Sequence, residues 1–166
     1  MNVNIALLTV TDTRTLDTDK SGNILKKKIK EANHNLIDRK ICKDSKKDIK
    51  KIIKEWLKKK NIDVIITTGG TGLTGRDITP EALNEIADKH IPGFGEIFRH
   101  VSLETVGTSS IQSRACAILA NGKYIFALPG SSGGVSDAWD KILIHQLDIN
   151  HKPCNFVELF PRLKEK

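Results

Sequence analysis

Residues Thr67-Thr68-Gly69-Gly70-Thr71-Gly72-Leu73-Thr74-Gly75-Arg76-Asp77-Ile78-Thr79-Pro80-Glu81-Ala82 constrain this chain more than any other stretch. The apolar run before them, Val64-Ile65-Ile66, reads as a strand buried on both faces. The end of the string, Thr79-Pro80-Glu81, is a helix-start pattern: a capping hydroxyl, a proline at the first helical position and an early acid. A loop of glycines and small hydroxyl residues joins the two. Glycines permit positive φ and close approach, so several backbone N–H groups can converge on one point, and the dipole of the next helix adds to their field. Such a place suits a phosphate, and Arg76 and Asp77 stand beside it as a cation and a possible metal ligand.

Two better-known glycine loops are excluded. Gly70, Gly72 and Gly75 fit G-x-G-x-x-G, but Pro80 starts the helix beyond the third glycine, where the dinucleotide fingerprint needs it inside. The region expected to supply the acid of that fingerprint, His90 to Phe98, reads as loop and helix. A nucleotide P-loop is ruled out because no Gly-Lys-Ser/Thr occurs.

Strand and helix patterns alternate along the chain. Ile5 to Val10 is an apolar strand, and a helix introduced by Ser21-Gly22 follows with Ile24, Leu25, Ile29 and Ala32 on one face. Leu36 to Ile41 is a partly exposed strand. After Ser45, Ile49, Ile52, Ile53, Trp56 and Leu57 form an amphipathic stripe. Beyond the strand Asp63–Thr67 and its glycine loop, a helix is expected to run to about Asp88, and Pro92-Gly93 precedes another carrying Phe94, Ile97, Phe98 and Val101. Asn121-Gly122 joins two apolar runs as a hairpin, and Val135 to Leu147 is the last main helix. The pattern predicts an α/β fold, three layers with a doubly wound, mostly parallel sheet and a late antiparallel hairpin. One domain over residues 1–166 is expected, with a core of about 3–155 and a C-terminal tail at 156–166.

Ligands of such sheets bind beyond the carboxyl ends of the strands. That edge gathers Thr11 to Arg14, Lys43-Asp44-Ser45, Thr68 to Thr79 and Pro129 to Gly134, bringing Asp12, Asp44 and Asp77 together. Each acid has a plain alternative: Asp44 can cap the helix near Ser45, Asp77 can merely order its loop, and Asp12 reads first as a strand-end turn residue. Ser131 and Ser132 follow Leu128-Pro129-Gly130 at a helix start, a second anion site or simply a cap.

The net charge of +7 comes from lysines at 26–30 and 43–60. They flank amphipathic stripes without interleaved aromatics, so they read as solvated faces and no specific nucleic acid is expected as a partner. No bilayer-spanning segment or signal pattern is seen, and Cys42, Cys116 and Cys154 are too few and scattered for a disulfide frame or zinc site, which together predict a cytoplasmic protein.

Thr-Gly-Gly-Thr-Gly followed by Arg-Asp and Thr-Pro-Glu-Ala resembles the signature of the molybdopterin-binding domains. Pro92-Gly93-Phe94-Gly95-Glu96 with Phe98-Arg99, Ser113-Arg114-Ala115 and Leu128-Pro129-Gly130-Ser131 match in the same order, so the resemblance covers nearly the whole chain to about Asn155. Gly107 to Arg114, Gln146-Leu147-Asp148 and Pro153 to Phe156 look most like the family's protein B branch. The resemblance implies adenylyl transfer from ATP with Mg²⁺ to the terminal phosphate of molybdopterin, or, as the alternative, molybdopterin binding without catalysis. It implies Asp44 and Asp77 as catalytic and metal-holding residues. It also implies Thr68, Gly69, Gly70, Thr71, Gly72, Gly75 and Arg76 at the nucleotide phosphates, and Gly130, Ser131 and Ser132 at the pterin. A homotrimer or homohexamer is implied, with Phe94 and Phe98 as contact candidates or as plain monomer core. The chain departs from the family at Ser132-Gly133, where Leu-Pro-Gly-Xaa-Pro is common; the backbone N–H donors survive that change.

Overall fold

The computed structural model describes residues 1–165; Lys166, the last residue of the expected tail, lies outside the described residues. Strand β1 (Asn4–Val10) is followed by α1 (Lys20–Glu31), β2 (Asn35–Cys42), α2 (Lys46–Lys58), β3 (Val64–Thr68), α3 (Thr79–Asn84), the two-residue β4 (Lys89–His90) and α4 (Pro92–Val106). Then come β5 (Cys116–Ala120), β6 (Lys123–Leu128) and α5 (Ser132–Ala138), which runs through a π turn (Trp139–Leu143) into α6 (Ile144–Gln146). The six strands lie in the order β2-β1-β3-β6-β5-β4. β2, β1, β3 and β6 are parallel, while β5 and β4 complete the sheet antiparallel. This is the doubly wound α/β sheet that strand–helix alternation predicted, late hairpin included.

The central strands are apolar throughout because both faces are covered. Ile5, Leu7, Val64, Ile66, Tyr124 and Phe126 point into the layer of α1, α4 and α5. Their neighbours Ala6, Leu8, Ile65 and Ile125 point into the layer of α2 and α3, with Ile49, Ile53 and Trp56. A large residue buried completely on either side contributes roughly 1.5–3 kcal/mol. Phe156 and Phe160, from the expected tail, pack against Tyr124 with ring centroids at 4.6 and 5.8 Å.

Three features differ from the sequence expectation, and a fourth decides an alternative it left open. Helix α3 stops at Asn84 rather than near Asp88, because Ile86 and Ala87 pack under the sheet and the Asp88 N–H donates to the Leu119 carbonyl. That bond delivers the chain to β4, a strand too short and too exposed to show an alternating pattern. Helix α1 begins at Lys20 and is capped by Asp19, one turn-start earlier than Ser21-Gly22 suggested. Phe94 and Phe98 are only 4% and 2% exposed, in the chain's own core, so they are not available as contacts between copies.

Candidate functional site

The carboxyl ends of β1, β2, β3 and β6 meet where the sequence placed the acids. Gly69, at φ +101°, turns the chain at the end of β3, and a Cβ there would collide with the Val10 carbonyl oxygen. Only a glycine fits so near another backbone in that conformation. A Cβ on Gly130 would lie 3.3 Å from the Gly69 Cα, so the loops after β1, β3 and β6 pack backbone against backbone. Thr79 fixes the turn: its hydroxyl donates to the Gly69 carbonyl at 2.9 Å and its N–H to the Gly70 carbonyl at 3.0 Å. It is therefore a brace for the glycine turn and not the helix cap that its sequence position suggested. Ile78 occupies the cap position with no side-chain acceptor, and Pro80 removes one of the donors that a cap would serve.

Asp77 folds back on its own loop, its Oδ2 accepting from the Thr74 N–H at 2.9 Å and the Thr74 hydroxyl at 2.7 Å. Partial burial works to raise its carboxyl, yet these bonds outweigh it and hold Asp77 below the usual carboxylate range. Arg114 fastens the same loop from β5's side. Its Nε donates to the Gly72 carbonyl and its Nη2 to the Asp77 carbonyl, both at 2.7 Å, while Nη1 pairs with Glu81. One planar fork thus fixes three points, which a lysine could not do.

Asp44 is placed differently. The Ser45 hydroxyl caps α2, accepting from the Asp48 N–H, so capping does not occupy Asp44. Burial, and then the nearby Asp12 carboxylate, push the Asp44 carboxyl above its ordinary value against the pull of Arg76, with Asp77 adding to the rise. Asp44 Oδ1 lies so near Gly70 that a Cβ there would be 3.4 Å away. Asp12, read first as a turn residue, ties these parts together. Its Oδ1 accepts from the Asp44 N–H at 3.1 Å, and its Oδ2 takes the Arg76 Nε and Nη2 at 2.9 and 2.6 Å. The hydrogen bonds from Arg76 and then from Asp44 hold the Asp12 carboxyl low. Three carboxylates converge beside one arginine at the mouth of a glycine turn. Carboxylate oxygens are the donors a hard divalent cation takes, but among the described residues no three His, Cys, Asp or Glu side chains are grouped to hold one, so a cation here would need water and ligand oxygens beside Asp44 and Asp77.

A cavity of about 300 Å³ opens beside this cluster, lined by Thr9, Thr11, Arg14, Lys20 and Ser21 together with Thr68, Gly69, Gly130, Ser131 and Ser132. The predicted phosphate and pterin residues Gly69, Thr68, Gly130, Ser131 and Ser132 therefore share one wall. Thr68 is fully buried and its hydroxyl is spent on the Pro129 carbonyl at 2.7 Å and on Ser21, so it braces the cavity. Ser131 caps α5, accepting from the Gly134 N–H at 3.1 Å. Gly72, Gly75 and Arg76 lie on the acid side, outside this cavity. Thr71 is buried, its carbonyl accepting from the Arg114 N–H at 2.8 Å.

Sequence reasoning passed over Arg14, Lys20 and Arg114 as site residues. Arg14 and Lys20 supply the cavity's positive charge, a fact visible in sequence only once the strand-end loops are known to converge. Asp19 and Arg39 were missed as well: Asp19, under the cavity, accepts from Thr9 at 2.5 Å and pairs with Arg39 at 2.9 Å.

Residues 6–149 match the family model described as "Probable molybdopterin binding domain". The chain is 43% identical over 161 residues to molybdenum cofactor biosynthesis protein B of Escherichia coli (strain K12), covering 97% of this chain and 93% of that protein. The protein of the same name from Staphylococcus aureus (strain COL) is 45% identical over 152 residues, 90% and 89% of the two chains. A crystal structure of molybdenum cofactor biosynthesis protein B superposes with a TM-score of 0.89 at 38% identity, covering 100% and 98% of the two chains. The tungsten cofactor synthesizing protein MoaB from Pyrococcus furiosus superposes with a TM-score of 0.77 at 33% identity, covering 86% and 91%.

Proposed function

This chain belongs to the molybdopterin-binding domain family, and from that premise we propose that it serves molybdenum cofactor biosynthesis by adenylylating the terminal phosphate of molybdopterin with Mg-ATP. The placement of Asp44 carries this reading. Its carboxylate faces Asp12 and Asp77 and abuts the glycine turn. An acid held so, beside a site shaped for phosphates, calls for a cation between the two.

In the reaction, an oxygen of the molybdopterin phosphate bonds to the α-phosphorus of ATP. The bond from that phosphorus to the oxygen bridging to the β-phosphate breaks, and pyrophosphate leaves with the electron pair. Catalysis of this kind is mostly alignment and charge neutralisation. Magnesium entering with ATP would neutralise the leaving phosphates, held by Asp44 and Asp77. The Gly69 and Thr74 N–H groups already serve the Leu128 carbonyl and Asp77, so those of Gly70 and Thr71 would receive phosphate oxygens, and Arg76, two-thirds exposed, would exchange Asp12 for a phosphate. Arg14 and Lys20 would draw the acceptor's anionic end against Ser131. Assembly as a homotrimer or homohexamer in the cytoplasm belongs to the same proposal. With Phe94 and Phe98 inside, the exposed Ile97, Leu103 and Ile111 become its contact candidates, and a monomer in light scattering would dismiss it.

A second reading, molybdopterin binding without transfer, is favoured by one observation. Among the described residues no three His, Cys, Asp or Glu side chains form a ready metal cage, and Asp77 Oδ2 is already engaged by Thr74. Asp77→Asn separates the two, because it keeps the side chain's size and removes its charge. In the enzyme, turnover falls on the order of 10²–10³-fold, the usual loss for one preorganised electrostatic group, while molybdopterin affinity holds. Undiminished transfer by Asp77→Asn would refute the mechanism.

A further inference from the structure

Residues 71–77 include the acid on which the proposed transfer depends, yet the glycines at 72 and 75, following Gly69 and Gly70, give this stretch little stiffness of its own. Thr79 closes the base of the loop through the Gly69 and Gly70 carbonyls, and the Asp77 carboxylate bonds to Thr74 within it. Beyond the base, two residues hydrogen-bond this stretch to the rest of the described residues: Arg76 through Asp12, and Arg114. The Arg76 tie is exposed, and a phosphate taken up by Arg76 draws it away from Asp12. Arg114 is then the tie that remains. Its N–H donates to the Thr71 carbonyl at 2.8 Å, its Nε to the Gly72 carbonyl and its Nη2 to the Asp77 carbonyl, both at 2.7 Å. Glu81, in the first turn of α3, orients that fork: Oε1 pairs with Nη1, and Oε2 takes Nη2 at 3.3 Å. The hydrogen bond from Arg114, ahead of any other influence, keeps the Glu81 carboxyl below its ordinary value. Arg99 on α4 steadies the segment from behind, its Nη1 donating to the Ser113 and Ala115 carbonyls on either side of Arg114 at 3.4 and 3.3 Å.

We infer that Arg114 is a positioning residue for the transfer: it keeps Asp77 and the Gly70 and Thr71 N–H groups aligned while a phosphate occupies Arg76, and Glu81 holds its guanidinium in place for that task. The inference rests on the transfer proposed above. Arg114 touches no reacting atom and acts through the backbone of Thr71, Gly72 and Asp77. A lysine there keeps the charge and the bond to Thr71, but it cannot span two carbonyls and a carboxylate with one rigid fork. A shift of Asp77 by about 1 Å is enough to lower a rate on the order of 100-fold. The chamber of Arg14, Lys20 and Ser131 belongs to other loops, which Arg114 does not brace, so the acceptor's binding does not depend on it.

The test compares full-length wild type with Arg114→Lys, Glu81→Gln and the double variant in two assays. One is steady-state pyrophosphate release; the other is equilibrium dialysis of ATP with Mg²⁺ or with EDTA. Arg114→Lys lowers kcat about 10- to 100-fold and weakens ATP binding about 10-fold when Mg²⁺ is present. ATP affinity in EDTA and KM for molybdopterin stay within about 2-fold of wild type. Glu81→Gln loses less, and adding it to Arg114→Lys lowers the rate no further, because both act through one fork. Arg114→Ala regains activity with millimolar guanidinium and not with methylammonium, which carries the charge without the plane. A residue that served folding alone would lower Tm without this split, and neither ion would restore the rate. If Arg114→Ala does not fold, the charge-keeping Arg114→Lys decides. Wild-type kcat and Mg-ATP affinity in Arg114→Lys would overturn the inference, as would an equal loss of ATP affinity in EDTA or rescue by methylammonium. A wild-type chain that binds Mg-ATP more tightly than ATP alone yet transfers nothing loses the enzymatic role, and the Mg-ATP affinity of Arg114→Lys still decides this inference. Wild type without Mg²⁺-dependent ATP binding would overturn both.

Discussion

Replacing Gly69 by alanine probes the turn on which the whole site is hung, and Gly75 in the same loop is its internal control. At Gly69, φ is +101° and an added Cβ meets the Val10 carbonyl oxygen, a backbone atom that cannot swing aside. The unfavourable dihedral costs roughly 1–3 kcal/mol. Forcing apart the packed loops after β1 and β3 costs about 1–3 kcal/mol more. The sum, near 4 kcal/mol, corresponds to a fall in Tm of roughly 8–16 °C for a domain of this size. At Gly75 no atom lies within 4 Å of the added Cβ and φ is not positive, so Gly75→Ala should stay within about 0.5 kcal/mol of wild type. Urea unfolding at one fixed protein concentration measures both. Trp56 and Trp139, buried in the two layers on opposite faces of the sheet, report the loss of each layer. Equal stability of Gly69→Ala and wild type, or equal losses for the two variants, would refute the close-approach reasoning.

Asp19 supports a second expectation. Burial works to raise its carboxyl, but the hydrogen bonds from Thr9 and Arg39 prevail and hold it below the ordinary 3.8. A depressed carboxyl lends stability that is complete above about pH 4 and is lost as pH falls through its folded value. Asp19→Asn should therefore flatten the acid limb of the stability–pH curve and, by leaving Arg39 without its partner, cost about 3 kcal/mol at pH 7 in denaturant titrations. The cysteines should react unequally with a thiol reagent at pH 8. Burial pushes Cys42 to about 12 and Cys116 to about 11, while Cys154 is exposed, so mass spectrometry after brief labelling should find Cys154 modified first.

Much of the fold was legible because burial on both faces leaves an unambiguous mark. The runs Ile5–Val10 and Val64–Ile66 admit no polar alternation, and Asn121-Gly122 supplies the two positive φ values, 47° and 70°, that a tight hairpin demands. What escaped has physical reasons. β4 exists because the Asp88 and Ile91 N–H groups find carbonyls on β5, and a backbone pairing of two residues leaves no side-chain pattern. Phe94 and Phe98 repeat at helical spacing, which marks a buried face without saying whether the same chain or another copy buries it. That Asp44, Asp77 and the glycine loop gather at one edge of the sheet was readable from strand order. Asp12 was set aside because a single acid after a strand is usually a turn residue, and only the folded chain brings Arg76 and the Asp44 N–H to it. Arg114 lies 37 residues from Asp77 along the chain and was quoted only as part of a motif, its fork to Gly72, Asp77 and Glu81 being a product of tertiary structure.

Transfer of AMP is tested most directly by supplying the purified chain with molybdopterin and ATP labelled at the α-phosphate, with and without Mg²⁺, and following both pyrophosphate and labelled pterin. An adenylyltransferase releases one pyrophosphate for each labelled pterin formed, only when molybdopterin and Mg²⁺ are both present. Saturating Mg-ATP and molybdopterin that yield bound pterin but neither pyrophosphate nor labelled product would contradict the enzymatic role and leave a molybdopterin-binding protein.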